Sequence, residues 1–127
     1  MAKTKKLVLR GLLIIFGLGL AALILGGIRW ATYARPPLPE AIAALKSDQE
    51  VQIKQEPWLT FSPREISPNT GLIFYPGGRI DPRGYAVLLR EIASAGYLVI
   101  VPEMPINMAA LNPGIAAEIM AEYPVIN

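Results

Sequence analysis

Residues 71–101 read GLIFYPGGRIDPRGYAVLLREIASAGYLVIV, and this stretch decides the fold. Gly71-Leu-Ile-Phe-Tyr75 is a continuous apolar run, the pattern of a strand covered on both faces rather than one. Pro76-Gly77-Gly78-Arg79 interrupts it. Asp81 and Pro82 then supply a helix N-cap and a first-turn proline. Tyr85, Leu88, Leu89 and Ile92 recur at i, i+3, i+4 and i+7, predicting an amphipathic helix with that face turned inward. Gly96 stands where helices commonly stop, and Tyr97-Leu-Val-Ile-Val101 is a second apolar run closed by Pro102. Strand, loop, helix and strand in about thirty residues make a βαβ unit, whose two strands are predicted to be parallel.

Before this unit, Val51-Gln-Ile-Lys54 alternates apolar and polar like a half-buried strand. Trp58-Leu-Thr-Phe61 is a second short strand between Pro57 and Pro63, able to pair antiparallel with the first. Glu40–Lys46 reads as a short helix. Arg35-Pro36-Pro37-Leu38-Pro39 reads as a stiff extended spacer, because proline fixes φ and removes a donor. After the unit, Asn112-Pro113 repeats the cap-plus-proline start for a helix to about Glu122, with Ile115, Ala116 and Ile119 on one face. Val125-Ile126 has the look of a further strand opening. The fold class expected is α/β, with two lead-in strands ahead of a βαβα unit.

Gly11–Ile28 is an uncharged run of 18 residues rich in Leu, Ile, Gly and Ala. That length crosses a bilayer core at about 1.5 Å of rise per residue. Arg29-Trp30 follows directly and Thr32-Tyr33-Ala34 is a poor match to a small-x-small cleavage site, so a retained transmembrane anchor is expected, with a cleaved leader as the alternative. The whole chain carries a formal charge of +2, with all the acids beyond residue 35. Lys3, Lys5, Lys6 and Arg10 precede the span while Arg29 and Arg35 follow it, which predicts an N-terminus in the cytoplasm and the remainder outside. The expected organisation is a basic flank (1–10), an anchor (11–30), a proline-rich linker (31–39) and a partial α/β domain (40–127). The bilayer is the one partner expected from this pattern, in a single-pass protein of the cell membrane. The part beyond the span is mildly acidic, and nothing in it suggests nucleic acid.

The chain has no cysteine and no histidine. That excludes disulfides, thiolate zinc sites, cysteine nucleophiles and a histidine general base. The acids show no calcium-loop or paired-carboxylate spacing, so neither a metal site nor a cofactor is expected.

The loop Tyr75–Asp81 follows the C-terminal end of a parallel strand, where open α/β sheets place their sites. Two glycines permit a sharp turn with N–H groups facing outward, beside a helix start of positive potential. One reading is a cradle for an oxyanion or phosphate. The other is a tight βα turn. Neither the dinucleotide fingerprint nor the P-loop pattern is present.

The stretch 71–107, GLIFYPGGRIDPRGYAVLLREIASAGYLVIVPEMPIN, resembles the N-terminal half of a bacterial, membrane-anchored α/β-hydrolase-fold family of esterase or dienelactone-hydrolase type. The shared features are the PGG loop after a strand, DPRxY at the helix start, and AGY, an apolar run and Pro at the next strand. The resemblance implies serine attack on an ester or similar acyl group. It also implies that backbone N–H groups around Gly77, Gly78 and Arg79 form half of an oxyanion hole, the other half following the nucleophile. Ser47, Ser62, Ser67 and Ser94 all lie outside any G-x-S-x-G. The expectation is therefore the first portion of such a hydrolase, ending at Asn127 before the nucleophile elbow, with no catalytic residue of its own. A small acyl or ester substrate is expected only in a complete homologue. The competing expectation is a non-catalytic, membrane-anchored binding module.

Overall fold

A computed structural model describes residues 2–124 in two units, which divide between Tyr33 and Ala34. The first unit is the helix α1, Ala2–Thr32. Its 31 residues outrun the apolar run at both ends, because Leu, Ala, Lys and Arg flanks are good helix formers. Within Thr4–Thr32 an 18-residue window reaches a mean hydropathy of 2.5, and none of that window is buried within the chain. The helix is long and apolar enough to cross a membrane, and its backbone satisfies its own polar groups as a span requires.

The second unit holds a four-stranded sheet in the order β1-β2-β4-β3. β1 (Val51–Lys54) and β2 (Leu59–Pro63) pair antiparallel with Ile53 opposite Phe61, as their patterning predicted. β2 also pairs antiparallel with β4 (Leu98–Val101), Thr60 facing Ile100. That contact ties the lead-in strands to the βαβ unit and has no local sequence signal. β3 (Gly71–Ile73) runs parallel to β4, Leu72 facing Val99, and Phe74 N–H extends the ladder to the Ile100 carbonyl at 2.8 Å.

Alternation along β4 organises both cores. Val99 and Val101 join Val51, Leu59, Phe61, Ala86, Leu89 and Ala93 on one face, under α2 (Pro39–Ala43) and α3 (Ala86–Ser94). Leu98 and Ile100 join Met104, Ile115 and Ile119 on the other, under α4 (Ile115–Glu122). Phe61, Leu89, Ile100 and Ile119 are completely enclosed, each worth about 1.5–3 kcal/mol of transfer free energy. α2 is fastened from a distance: Arg90 donates to the carbonyls of Ala44 (3.2 Å) and Lys46 (2.7 Å) and pairs with Asp48.

Several local expectations change in three dimensions. β4, not β3, is the strand buried on both faces; among the described residues β3 is an edge, and its Leu72 is 37% exposed. The helix after the loop starts as a 3₁₀ turn over Pro82–Tyr85, with three residues per turn. The inward face of α3 is therefore Ala86, Leu89 and Ala93, flanked by Tyr85 and Ile92, while Leu88 lies 49% exposed. Two alanines on that face let the helix approach the sheet closely. α4 begins after Gly114 rather than at Asn112, with no side-chain cap; Ile115 and Ile119 are buried and Ala116 half-buried. The strand expected at Val125-Ile126 lies outside the described residues.

Candidate functional site

The loop after β3 is shaped by hydrogen bonds to fixed neighbours, several of them far along the chain. Tyr75 donates from its hydroxyl to the Pro113 carbonyl at 3.2 Å, and Pro76 is buried. The chain then turns through Gly77. Its N–H donates to the Tyr85 hydroxyl at 3.2 Å. The approach is so close that a Cβ on Gly77 would lie 2.7 Å from that oxygen, which explains the glycine. Tyr85 is held in turn by its ring, tilted against Phe74 at 4.9 Å between centroids.

Two residues on, Arg79 adopts φ 61° and donates its N–H to the Asn107 carbonyl at 2.9 Å. The acceptor is presented by a second unusual turn. After β4 the chain passes Pro102 into a 3₁₀ turn over Pro105–Asn107, where Ile106 and Asn107 have φ of 46° and 55°. Left-handed backbone is rare for a β-branched residue such as isoleucine and is kept only where its surroundings impose it. Here it brings the Asn107 carbonyl across to the loop.

The exit from the loop is clasped from outside. Arg35 donates its N–H to the Arg79 carbonyl at 2.9 Å, and its own carbonyl accepts from Asp81 N–H at 3.1 Å. Together these make a parallel bridge between Arg35 and Ile80. The proline-rich stretch thus begins with a residue docked on the loop. Asp81 caps the following turn as its sequence position indicated, accepting from Arg83 N–H at 3.0 Å. The Arg83 guanidinium closes on the same carboxylate at 2.6 Å. The side-chain bonds from Arg83, joined by its backbone N–H, hold the Asp81 carboxyl below the usual carboxylate range.

Of the three expected oxyanion donors, the structure engages two. Gly77 N–H goes to Tyr85 and Arg79 N–H to Asn107. Gly78, exposed at the tip, makes no hydrogen bond among the described residues, and its N–H is the donor the loop leaves over. A Cβ there would find its nearest neighbour at 3.9 Å, so Gly78 is not required by space.

Two openings flank the loop. A cleft of about 480 Å³ is lined by Glu56, Asp81, Arg83, Glu103, Met104 and Asn107 among others. A smaller one, about 200 Å³, is lined by Arg35, Gly78, Arg79 and Ile80. The four serines line neither. Ser94 donates to the Glu91 carbonyl at 2.9 Å at the end of α3, and Ser47 exchanges bonds with the Ile53 backbone. Among the described residues no cluster of three or more acids exists that could hold a metal ion.

Sequence reasoning placed the loop and missed three residues that shape it. Tyr85 read only as one member of an apolar face, though it belongs to the DPRGY run. Asn107 and Arg35 carried no signal, since each acts through its backbone carbonyl or amide. No curated protein and no solved structure matches the chain. Residues 71–127, the stretch that begins at β3 and builds the loop, α3 and β4, match the model of an alpha/beta hydrolase family, which supports an α/β-hydrolase assignment for that part of the chain.

Proposed function

We propose that this chain is the first portion of a membrane-anchored α/β hydrolase of serine-esterase type, with the PGG loop contributing one side of its oxyanion hole. The observation that carries this reading is the exposed Gly78 in the loop after β3, its N–H making no hydrogen bond among the described residues, inside the stretch matching the alpha/beta hydrolase family. In acyl transfer the carbonyl oxygen gains charge as the tetrahedral intermediate forms, and a pre-aimed N–H stabilises it at no cost in reorganisation. Gly77 and Arg79 take positioning roles: their amides are held by Tyr85 and Asn107, so that Gly78 between them presents its own. The chain contains no histidine and no G-x-S-x-G, so the nucleophile and its base come from residues other than these 127. The anchor is α1, with the N-terminus in the cytoplasm and the α/β unit on the outer side of the cell membrane.

Two experiments test the proposal. Purified chain in nanodiscs is expected neither to hydrolyse short nitrophenyl esters nor to react with a fluorophosphonate; stoichiometric labelling of any of its serines defeats the division of labour. For the loop itself, residues 71–107 are grafted in place of the matching stretch of an active α/β hydrolase. Gly78→Pro, which removes the N–H, is expected to lower kcat about 10²–10³-fold. Gly78→Ala, which keeps it, leaves kcat near the graft's own value. Equal rates for both variants reject the oxyanion role.

A further inference from the structure

The clasp between Arg35 and the loop does more than order the backbone: it brings a second cationic residue to the same opening. The cavity of about 200 Å³ is lined by Arg35, Gly78, Arg79 and Ile80 alone, with no acidic side chain among them. Asp81, the nearest carboxylate along the chain, is occupied by Arg83. The Arg35 side chain is exposed and has no partner among the described residues, while its N–H and carbonyl lock it to Arg79 and Asp81. A backbone-fixed guanidinium with no partner among the described residues, on the same lining as Gly78 and its N–H without an acceptor there, matches the chemistry of a phosphate, which takes several donors at once.

Chain connectivity says where that phosphate is found. Arg35 follows Thr32, the last residue of α1, by three positions. Three residues reach at most about 10 Å even when fully extended. If α1 is the membrane span, as the proposed function holds and this inference requires, the Arg35 backbone stays within about that distance of the span's end. The electrostatic reach of an exposed charge is similar, about 8 Å at physiological salt. Polybasic residues just outside a span are drawn to anionic headgroups for this reason.

We propose that the pocket of Arg35, Gly78, Arg79 and Ile80 is a binding site for the phosphate of a membrane-lipid headgroup. The PGG loop is then held at the lipid surface, and what reaches it comes from the membrane.

The chain lacks cysteine, so single cysteines can be labelled cleanly in the full-length protein. Fluorophores are placed at Gly84, Ser94 and Leu20 in turn. Gly84 is exposed and open, and a Cβ there would meet Ile80 at 3.7 Å; Ser94 lies at the far end of α3. Vesicles contain phosphatidylcholine, with or without one-third phosphatidylglycerol, and a trace of lipid carrying a headgroup nitroxide quencher. Quenching at Gly84 is expected to exceed that at Ser94 several-fold and to rise with phosphatidylglycerol. Arg35→Gln keeps the backbone clasp and is expected to abolish that rise, whereas Lys54→Gln, an exposed charge elsewhere, leaves it. Equal quenching at Gly84 and Ser94, or a rise that survives Arg35→Gln, overturns the proposal. So does inorganic phosphate removing the phosphatidylglycerol effect at concentrations that leave the lipid charge unscreened, since free phosphate is then the ligand. The Leu20 label separates the two readings. If it is open to a water-soluble quencher, the anchor fails and the headgroup site falls with it; if it is protected while Gly84 behaves like Ser94, only the headgroup site fails.

Discussion

Replacing Gly77 by alanine probes the contact on which the loop geometry rests. The residue has no positive φ, so the backbone accepts a side chain without torsional penalty. The obstacle is the Tyr85 hydroxyl, which a new Cβ would approach to 2.7 Å, about 0.7 Å inside ordinary contact. Tyr85 cannot simply swing away, because its ring packs against Phe74. Overpacking of this kind costs about 1–3 kcal/mol. Tyr85→Phe attacks the same contact from the other side, leaving the Gly77 N–H without its acceptor at about 0.5–1.5 kcal/mol. The double variant is the informative one. Once the hydroxyl is gone the alanine has room, so the cost of Gly77→Ala is expected to fall by about 1 kcal/mol or more in the Tyr85→Phe background. Such coupling is what a double-mutant cycle measures for residues in contact. The assay is denaturant unfolding of the full chain in non-ionic micelles, followed by Trp58 fluorescence with Trp30 changed to Phe. Additive costs, or a Tyr85→Phe variant as stable as the parent, refute the idea that Tyr85 sets the loop.

Acid should weaken the clasped corner. The folded-state pKa of Asp81 is depressed, mainly by the Arg83 side-chain bonds, so its stabilisation is complete above the unfolded value of about 3.9 and is lost as pH falls through the lower folded value. Asp81→Asn keeps a competent N-cap but cannot titrate, and its unfolding midpoint should fall less than the parent's between neutral pH and about pH 3; identical pH profiles dismiss this role. At the edge that β3 forms among the described residues, Leu72→Lys is expected to reduce self-association, since an apolar edge invites another strand and a lysine discourages it. Unchanged sedimentation of the two proteins at equal concentration counts against it. Protease added to intact cells should cut beyond Pro39 while sparing a tag at Met1, as the charge bias around the span requires; protection of the α/β unit reverses the orientation.

The elements that local chemistry commands were legible before any coordinates. An uncharged run of 18 residues with basic flanks makes a long helix whatever follows it. Asp81-Pro82 and Gly96 delimit the helical segment because caps and left-handed stops act within one turn, and Gly96 does adopt φ 102°. Two apolar runs joined by that helix have to lie parallel, as β3 and β4 do. Gly77, Gly78 and Arg79 were singled out by the resemblance of residues 71–107 to an α/β-hydrolase family, since the glycine pair alone reads equally as a tight turn.

What the linear pattern could not decide was which groups of the loop face outward. Tyr85 was indistinguishable from a core aromatic, since its ring does pack on Phe74 while only its hydroxyl turns to Gly77. The roles of Asn107 and Arg35 depend on main-chain atoms that every residue has, so no side-chain pattern announces them. Leu88 was misplaced for a related reason, since a 3₁₀ first turn shifts helical phase. Sequence determines local conformation through contacts a few residues apart. The engaged Arg79 amide and the docked Arg35 exist only because segments some 30 to 45 residues apart are packed together, and that is a property of the tertiary structure alone.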